Sequence, residues 1–401
     1  MKPDQGRQQD TQVPSLDRML EIARELGEQA ERMAPETERN RRTDDATVYA
    51  MVESGLVKVL QSRRFGGYES GFPDFVRIGR TLALYDVSLS WLYNIFGIHH
   101  WFGAFVDPKL QDELWGNDPN VIFVDSFAPT GRAELTTDGF RLNGRWSFLS
   151  GLPWARWCGV GVIAPYEAGS EPEHLMLFVP EADYRVLDDW YTIGLRGSAS
   201  ASIEVHDVFV PRYRAFRLGP ASANCEAPGL ALNPGTLYRV PFTTALQVAL
   251  LAPTVGGAQA VAARFRKTAI SRAPLFQQRQ AELVMSQTTL ADSMVTLEML
   301  EQMLYRYADE LMELGVRGGT LDREGRLRMF AWRAYMARQA RLVATNLADI
   351  AGARALFETE PLQRFWRDVH AIGQHVGVNY EAGMRNYGRA LMGLEPDIAV
   401  Y

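Results

Sequence analysis

The chain has 401 residues, of which 47% are hydrophobic and 22% are charged, and its formal net charge at neutral pH is -6. A chain of this length buries one large core or several packed sub-domains, which excludes a small module held together by disulfides. The acidic balance argues against nucleic acid as the main partner, and no apolar run approaches the roughly 18 residues of a membrane span, so no membrane partner is expected.

The first part of the chain changes from polar to helical in character. Residues 1–14 have no apolar core of the kind that a secretory signal needs, so they are predicted to be a disordered leader and a cytoplasmic location is expected. From residue 15 to about 120, apolar side chains recur at helical spacing, and Ser15 stands where a helix cap is expected. A helical N-terminal domain is therefore predicted over residues 15–120.

The middle of the chain, residues 121–217, consists of short β-rich runs bounded by turn residues, for example at 121–124 and 202–210. No long helical pattern separates these runs. Parallel βαβ crossovers are therefore not expected, and the pattern predicts an antiparallel β-barrel or sandwich.

Helical periodicity returns over residues 218–401 in segments of roughly 20 residues or more, which predicts an antiparallel helix bundle. The fold class predicted for the whole chain is α+β, with a helical domain, a β-domain and a helix bundle in that order. The two cysteines, Cys158 and Cys225, match no zinc pattern and are expected to pack as free thiols.

Two motifs in the β-domain are similar to those of a known family. The run Gly-Leu-Arg-Gly-Ser at residues 194–198 looks like a Gly-x-Arg-Gly-[Ser/Thr] turn, and Asp-Val-Phe-Val-Pro at 207–211 looks like an Asp-Val-x-Val-Pro strand. With the order of the three domains, these motifs resemble the acyl-CoA dehydrogenase superfamily. The resemblance runs from about residue 15 to the end and implies the fold of that superfamily.

The C-terminal run Gln-His-Val-Gly at residues 374–377 selects a branch of the superfamily. An acyl-CoA dehydrogenase of this pattern carries its catalytic glutamate here, in a Tyr-Glu-Gly-Thr run, whereas this chain has His375. The chain therefore resembles the two-component flavin-dependent monooxygenases that hydroxylate phenols and related aromatics. The activity implied is that of the oxygenase component, which uses reduced flavin and O2 through a C4a-hydroperoxyflavin.

The resemblance implies which residues contact the flavin. Ser150 is expected to reach flavin N5 through its hydroxyl or amide, next to Ser147 in the same run. Trp146 is expected to wall the ring, and Ser126 to lie at the boundary between flavin and substrate. A hydrogen bond at N5 and the exclusion of water keep the oxygenated flavin from releasing hydrogen peroxide.

The same resemblance assigns substrate contacts to His375, His99, Trp101 and Ser126. Transfer of oxygen is faster to a phenolate than to a phenol, so a neutral imidazole beside the phenol oxygen can act as general base at neutral pH. His375 and His99 are the candidates for this base.

The helical positions of the histidines restrict these roles. His99 and His100 are successive on a predicted helix and point about 100° apart, so at most one of them faces the site. If the C-terminal helix continues through His375, His370 and His375 lie about 140° apart, and a shared metal is not expected.

Cofactor supply and assembly follow from what the motifs lack and what the helices expose. No Gly-x-Gly-x-x-Gly run opens a helix after a strand, so the chain is expected to receive reduced flavin, FMNH2 or FADH2, from a separate NAD(P)H-dependent flavin reductase. Apolar residues on more than one face of the bundle helices, with the family resemblance, predict a homotetramer.

Three alternatives remain open. An N- or S-oxygenase of the same branch, acting on an amine, an amino sugar or a thiophene, would need no phenol deprotonation. An acyl-CoA dehydrogenase would need a carboxylate base, but residues 232–260 contain no Asp or Glu, and Glu381 falls too late to match. A non-catalytic flavin-fold binding protein is disfavoured by Ser126, Ser150 and His375.

Overall fold

The computed structural model describes residues 13–271 and 279–397. Its first part is helical, as the periodicity predicts. The Ser15 hydroxyl caps the first helix by accepting from the Arg18 amide, and the Asp86 carboxylate caps the fourth by accepting from the Leu89 amide at 2.8 Å. The helices of this part are α1 (Leu16–Asn40), α2 (Asp45–Glu53), α3 (Phe72–Ala83), α4 (Val87–Phe102) and α5 (Pro108–Trp115).

Within the described part of the chain, the strands form one seven-stranded sheet in the order β5-β6-β2-β1-β3-β4-β7. The long strand β1 joins its two halves, because its first residues pair with β3 and its last residues pair with β2. The strands are β1 (Ile122–Leu135), β2 (Gly139–Leu149), β3 (Ala155–Pro165), β4 (Pro172–Pro180), β5 (Arg185–Leu187), β6 (Ala201–Pro211) and β7 (Ala215–Arg217).

The prediction of an antiparallel β-domain is wrong at one pair of strands. β1 and β3 run parallel, while the other described pairs are antiparallel. The connections explain this arrangement. β2 is antiparallel to β1, and the short 3₁₀ turn Leu152–Trp154 reverses the chain again, so β3 returns to the direction of β1 on its other side.

The last part of the chain is again helical, and the mixture of helices and one sheet confirms the α+β class. The helices are α6 (Leu218–Asn224), α7 (Phe242–Leu246), α8 (Leu251–Ser271), α9 (Val284–Arg317), α10 (Arg323–Ala351), α11 (Pro361–Ile372) and α12 (Tyr380–Leu391). Contrary to the expectation from the sequence, one stretch, Phe242–Ser271, is long and apolar enough to span a membrane, but 89% of its most apolar window is buried inside the protein. Its longest helix, α8, packs against α3, α10 and α11, which explains why most of the stretch is apolar and buried.

Helix α4 positions the candidate site. Every residue from Val87 to Phe102 is buried except Ile95, because the helix contacts α3 and α8 on one side and β1 on the other. A helix enclosed in this way has no solvent-facing polar stripe, and its polar side chains must find partners inside the protein. Trp91 and His99 find those partners on the strands.

Candidate active site

His375 lies just beyond the end of α11 rather than within the helix. Its Nδ1 accepts a hydrogen bond from the Gly377 amide at 3.0 Å, so the side chain caps the 3₁₀ turn Val376–Val378. The prediction that the helix continues through His375 is therefore wrong, because this local cap begins a new turn after Ile372. The predicted angle between His370 and His375 around one helix does not apply.

The imidazole of His375 faces the space beside the Trp91 ring, the recess of the site. It keeps exposed surface, yet surrounding protein buries it enough to lower its pKa to about 4, with Arg333 adding to the effect and Asp125 opposing it. The ring is uncharged at neutral pH.

The hydrogen-bond pattern assigns the tautomer of His375. Because Nδ1 accepts from a backbone amide, the proton of the neutral ring is on Nε2. His375 thus presents an N–H group to the recess. It can donate a hydrogen bond to an oxygen atom, but it cannot take a phenol proton while it caps Gly377. The predicted general-base role is not supported by this geometry, since the accepting nitrogen is already used.

Trp91 connects Ser150 to His375. The indole N–H of Trp91 donates to the Ser150 hydroxyl at 2.9 Å, and its ring lies edge-on to the imidazole of His375, with ring centroids 6.3 Å apart. Ser150 and His375 are therefore neighbours of one indole, although they are 225 positions apart in sequence. The sequence predicted them separately, one from the β-domain and one from the bundle.

His99 and His100 point in different directions, as their succession on α4 requires. His99 stacks on Phe123, and its Nε2 lies 3.0 Å from Oδ2 of Asp125. His100 stacks on Trp115 in the core, where burial lowers its pKa to about 3. His99 is thus the member of the pair that reaches the site, and His100 is a packing residue.

Both nitrogens of His99 face protein oxygens. Nδ1 lies 2.9 Å from the Phe123 carbonyl and must carry a proton to bond with it, so Nε2 is the nitrogen that faces Asp125. His99 therefore has no nitrogen free for a substrate in this arrangement, and Asp125 is its partner. The sequence drew attention to Ser126 and missed the adjacent Asp125, whose partner is distant in the chain.

Ser126 and Ser147 lie together where β1 and β2 separate. The Ser126 hydroxyl donates to the backbone carbonyl of Ser147 at 2.9 Å, and the Ser147 hydroxyl accepts from Ser202 at 2.8 Å. Ser126 also follows Asp125 directly. These two serines therefore border the space around the His99–Asp125 pair.

The two predicted tryptophans are core residues instead. Trp146 is fully buried, donates to the Gly161 carbonyl at 2.8 Å, and lies so close to Gly131 that a Cβ there would be 1.9 Å from the indole. Trp101 is fully buried, donates to the Leu237 carbonyl at 3.0 Å and stacks on Phe242.

The periodicities of strand and helix explain these two corrections. Trp146 points to the opposite face of β2 from Ser147, because successive strand residues alternate. Trp101 is two residues after His99 and therefore about 200° away around α4. Neither tryptophan walls a flavin or binds substrate in this structure.

Helix α11 is tied to the turn at residues 194–198. The Asp368 carboxylate accepts from the Leu195 amide at 2.6 Å, and Arg367 donates to Glu38 of α1, also at 2.6 Å. Burial, together with the nearby carboxylates Glu38 and Asp86, raises the pKa of Asp368 to about 7. This contact joins the helix that leads to His375 to the turn that carries Ser198.

Comparisons with known proteins identify the family of the chain. Residues 248–380 match the family model described as acyl-CoA dehydrogenase, C-terminal domain. The chain is 32% identical to the flavin-dependent monooxygenase, oxygenase subunit HsaA, of Rhodococcus jostii, over 94% of this chain and 97% of the relative. The chain belongs to this family of monooxygenase oxygenase subunits.

Other members of the monooxygenase family are similar over most of their length. The crystal structure of the HsaA monooxygenase from M. tuberculosis superposes with a TM-score of 0.90 at 29% identity, covering 97% of this chain and all of that one. The oxygenase component of an FADH(2)-dependent resorcinol hydroxylase from Rhizobium is 27% identical over 90% of this chain and 91% of its own. The family likeness thus extends through the helical, β and bundle regions.

The site residues of this monooxygenase fit a flavin and an oxygen-bearing substrate. Ser150 keeps a lone pair, and the His375 N–H has no hydrogen-bond partner within the described residues. Phe148, between Ser147 and Ser150, is 73% exposed and offers apolar surface. Such unused polar atoms beside apolar surface are what a bound ring system with polar edges would satisfy.

Proposed function

We propose that the chain is the oxygenase component of a two-component flavin monooxygenase that hydroxylates a phenolic or related aromatic substrate. The observation that carries this proposal is the meeting of Ser150 and His375 on Trp91. The family supports it, because named members hydroxylate aromatic compounds such as resorcinol. Glu381, the carboxylate nearest in sequence to His375, has a side chain that is 84% exposed, which argues against a dehydrogenase base at this position.

Reduced flavin, when bound, supplies the electrons that activate O2 for insertion into the substrate. Ser150 is the residue that we expect to contact flavin N5, with Ser147 and Ser126 beside it. These residues do not distinguish FMN from FAD. The chain lacks a dinucleotide fingerprint, which supports a separate NAD(P)H-dependent reductase as the source of reduced flavin.

The proposed work of the polar residues follows from their hydrogen bonds. The phenol proton goes to the carboxylate of Asp125, which His99 holds in place through Nε2. His375 donates its Nε2–H to an oxygen atom in the recess. Ser126 lies between these groups and the flavin contacts, where it would border the substrate.

The experiment that tests this function supplies the purified chain with chemically reduced flavin, isotopically labelled O2 and a panel of phenols. We expect a hydroxylated product that contains one labelled oxygen, and no product from NADH without a reductase. Oxidation of an acyl-CoA, or rapid NADH oxidation by the chain alone, would overturn the proposal. Labelled oxygen appearing only on a thiophene sulfur or an amine nitrogen would assign the chain to the N- or S-oxygenases.

A further inference from the structure

Three buried serine hydroxyls form a hydrogen-bonded series, the serine relay, which leads away from the candidate flavin contact. Ser150 lies 2.8 Å from Ser200, and Ser200 lies 2.8 Å from Ser198, measured between hydroxyl oxygens. The Ser198 hydroxyl then lies 2.7 Å from the backbone carbonyl of Leu195. At the other end, the Trp91 indole reaches Ser150. Ser198 and Ser200 are almost fully buried.

The Leu195 carbonyl, at the end of the serine relay, fixes the direction of every hydrogen bond in the relay. A carbonyl can only accept, so the single proton of Ser198 is used on Leu195. Ser198 must then accept from Ser200, and Ser200 must accept from Ser150. All three protons point away from the candidate flavin site, and Ser150 also accepts from Trp91.

Several contacts hold Leu195, where the serine relay ends. The Leu195 carbonyl also accepts from the Trp190 indole at 3.0 Å and from the Ser198 amide at 3.1 Å, so three donors hold it. The Leu195 amide donates to Asp368. Ala199 has a left-handed backbone with φ of 46°, and this costly conformation holds its two serine neighbours close enough to bond.

The consequence for Ser150 is a fixed chemical character. The Ser150 proton is donated to Ser200, and one of its lone pairs accepts from Trp91. One lone pair remains, and no other residue among 13–271 and 279–397 bonds to it. Such a hydroxyl accepts a hydrogen bond but does not offer one. Reduced flavin carries a hydrogen on N5, whereas N5 of oxidised flavin is a bare acceptor.

We propose that Ser200 and Ser198 are positioning residues that hold Ser150 as an acceptor, so that the site selects reduced over oxidised flavin. This inference rests on the proposed function, since it requires that Ser150 contacts N5. In terms of binding, the Ser150 lone pair attracts the N5 hydrogen of the reduced form and repels the N5 lone pair of the oxidised form. Removing Ser200 would free the Ser150 proton to turn toward N5 and to serve either form.

The test compares the affinity for reduced and oxidised flavin, measured anaerobically by equilibrium titration, in the wild-type protein and in Ser200→Ala. We expect the ratio of the two affinities to fall about 3- to 10-fold in Ser200→Ala, which is the usual net effect of one hydrogen bond. Ser200→Thr keeps the hydroxyl and should restore the ratio. Ser222→Ala removes another buried serine hydroxyl, bonded to Thr243 and outside the relay, and should leave the ratio unchanged.

A second measurement needs no flavin. With fluorotryptophan incorporated, the fluorine NMR resonance of Trp91, assigned through Trp91→Phe, should shift in Ser200→Ala and in Ser198→Ala. It should not shift in Ser222→Ala. This readout reports the bond between Trp91 and Ser150 itself. If Ser200→Ala does not fold, as judged by its thermal midpoint, Ser198→Ala carries the same two tests.

The outcomes separate this inference from the function on which it rests. Binding of both flavin forms with an unchanged ratio in the relay variants would overturn the inference and leave the proposed function intact. An unmoved Trp91 resonance in both variants would likewise overturn the relay. Failure of the wild-type protein to bind flavin in either form would overturn the proposed function and this inference together.

Discussion

The imidazole of His375 lies edge-on to the indole of Trp91, with ring centroids 6.3 Å apart. The same indole donates its N–H to Ser150. One side chain of α4 therefore forms a wall shared by the expected flavin contact and the polar group of the C-terminal region. A change at either residue is expected to have its own effect, and paired variants can separate the two.

His375 is expected to act as a hydrogen-bond donor. His375→Ala should slow product formation in a single turnover by roughly 10²- to 10³-fold, the usual loss for one donor at a reacting oxygen. His375→Gln retains an N–H group and should recover part of that loss. Because the pKa of His375 is about 4, the wild-type rate should not fall through this residue until the pH drops below about 5. Equal rates in the two variants would indicate instead that proton acceptance matters.

Asp125 is expected to provide the proton acceptor. Asp125→Asn keeps the shape of the side chain and should slow hydroxylation of an ordinary phenol roughly 10²- to 10⁴-fold, the range for general-base catalysis. A phenol acidic enough to be ionised already at the assay pH should be affected much less. Single-turnover product yields with both kinds of phenol measure this difference. An equal loss with both phenols would mean that Asp125 only supports the structure around His99.

Ser150→Ala is expected to separate oxygen use from product formation. Without a partner at N5, more of the consumed oxygen should leave as hydrogen peroxide, so oxygen uptake continues while product yield falls. Parallel assays of oxygen, peroxide and product check this partition, with Ser222→Ala as the control. A Ser150→Ala variant that converts oxygen to product as efficiently as wild type would exclude a role at N5.

The buried carboxyl of Asp368 is expected to make stability depend on pH. Its folded pKa of about 7 lies above its ordinary value, so its contribution to stability is complete at low pH and is lost as the pH rises toward 7. Asp368→Asn removes the charge and keeps an oxygen that can accept from Leu195.

The free energy of unfolding of Asp368→Asn relative to wild type should therefore increase between about pH 5 and pH 8, by an amount on the order of 2 kcal/mol. Denaturant unfolding at several pH values measures it. Asp349→Asn, an exposed change on α10, is the control and should show no such trend. A difference that is constant with pH would show that Asp368 does not titrate in this range.

A homotetramer is expected from the exposed apolar side chains of α9. Those in its first half have exposed fractions between 40% and 73%, and they are Val284, Met285, Met294, Val295 and Met299. Light scattering should give four times the chain mass, and Met285→Glu with Met299→Glu should reduce it. Val186→Glu, which changes an exposed valine of β5, should not. A monomer mass for the wild-type protein at micromolar concentration would contradict this expectation.

The helices and the class of fold could be predicted because their signals are local. The hydroxyl of Ser15 and the spacing of apolar residues after it are enough to begin α1. The parallel pairing of β1 with β3 could not be predicted in the same way. It depends on which side of β1 the chain takes after Leu152–Trp154, and the β-rich runs are the same for either side.

The site was predictable to the extent that motifs mark positions, and not in its hydrogen bonds. Family resemblance indicated Ser150 and His375, which the structure brings together. It did not indicate that Asp125 would pair with His99, because the two are on different elements. Trp101 and Trp146 were misassigned because proximity in sequence to a site residue does not determine which face a side chain occupies.

Helix α11 makes two properties of the enzyme difficult to change separately. Its Asp368 holds the turn that anchors the serine relay, and its end leads directly to His375. A mutation that tilts this helix would therefore alter both the fraction of oxygen released as hydrogen peroxide and the rate at which a given substrate is hydroxylated. Protein engineers who seek new substrates would do better to leave Pro361–Ile372 unchanged and to vary the border near Ser126, where the two properties are not tied to one helix.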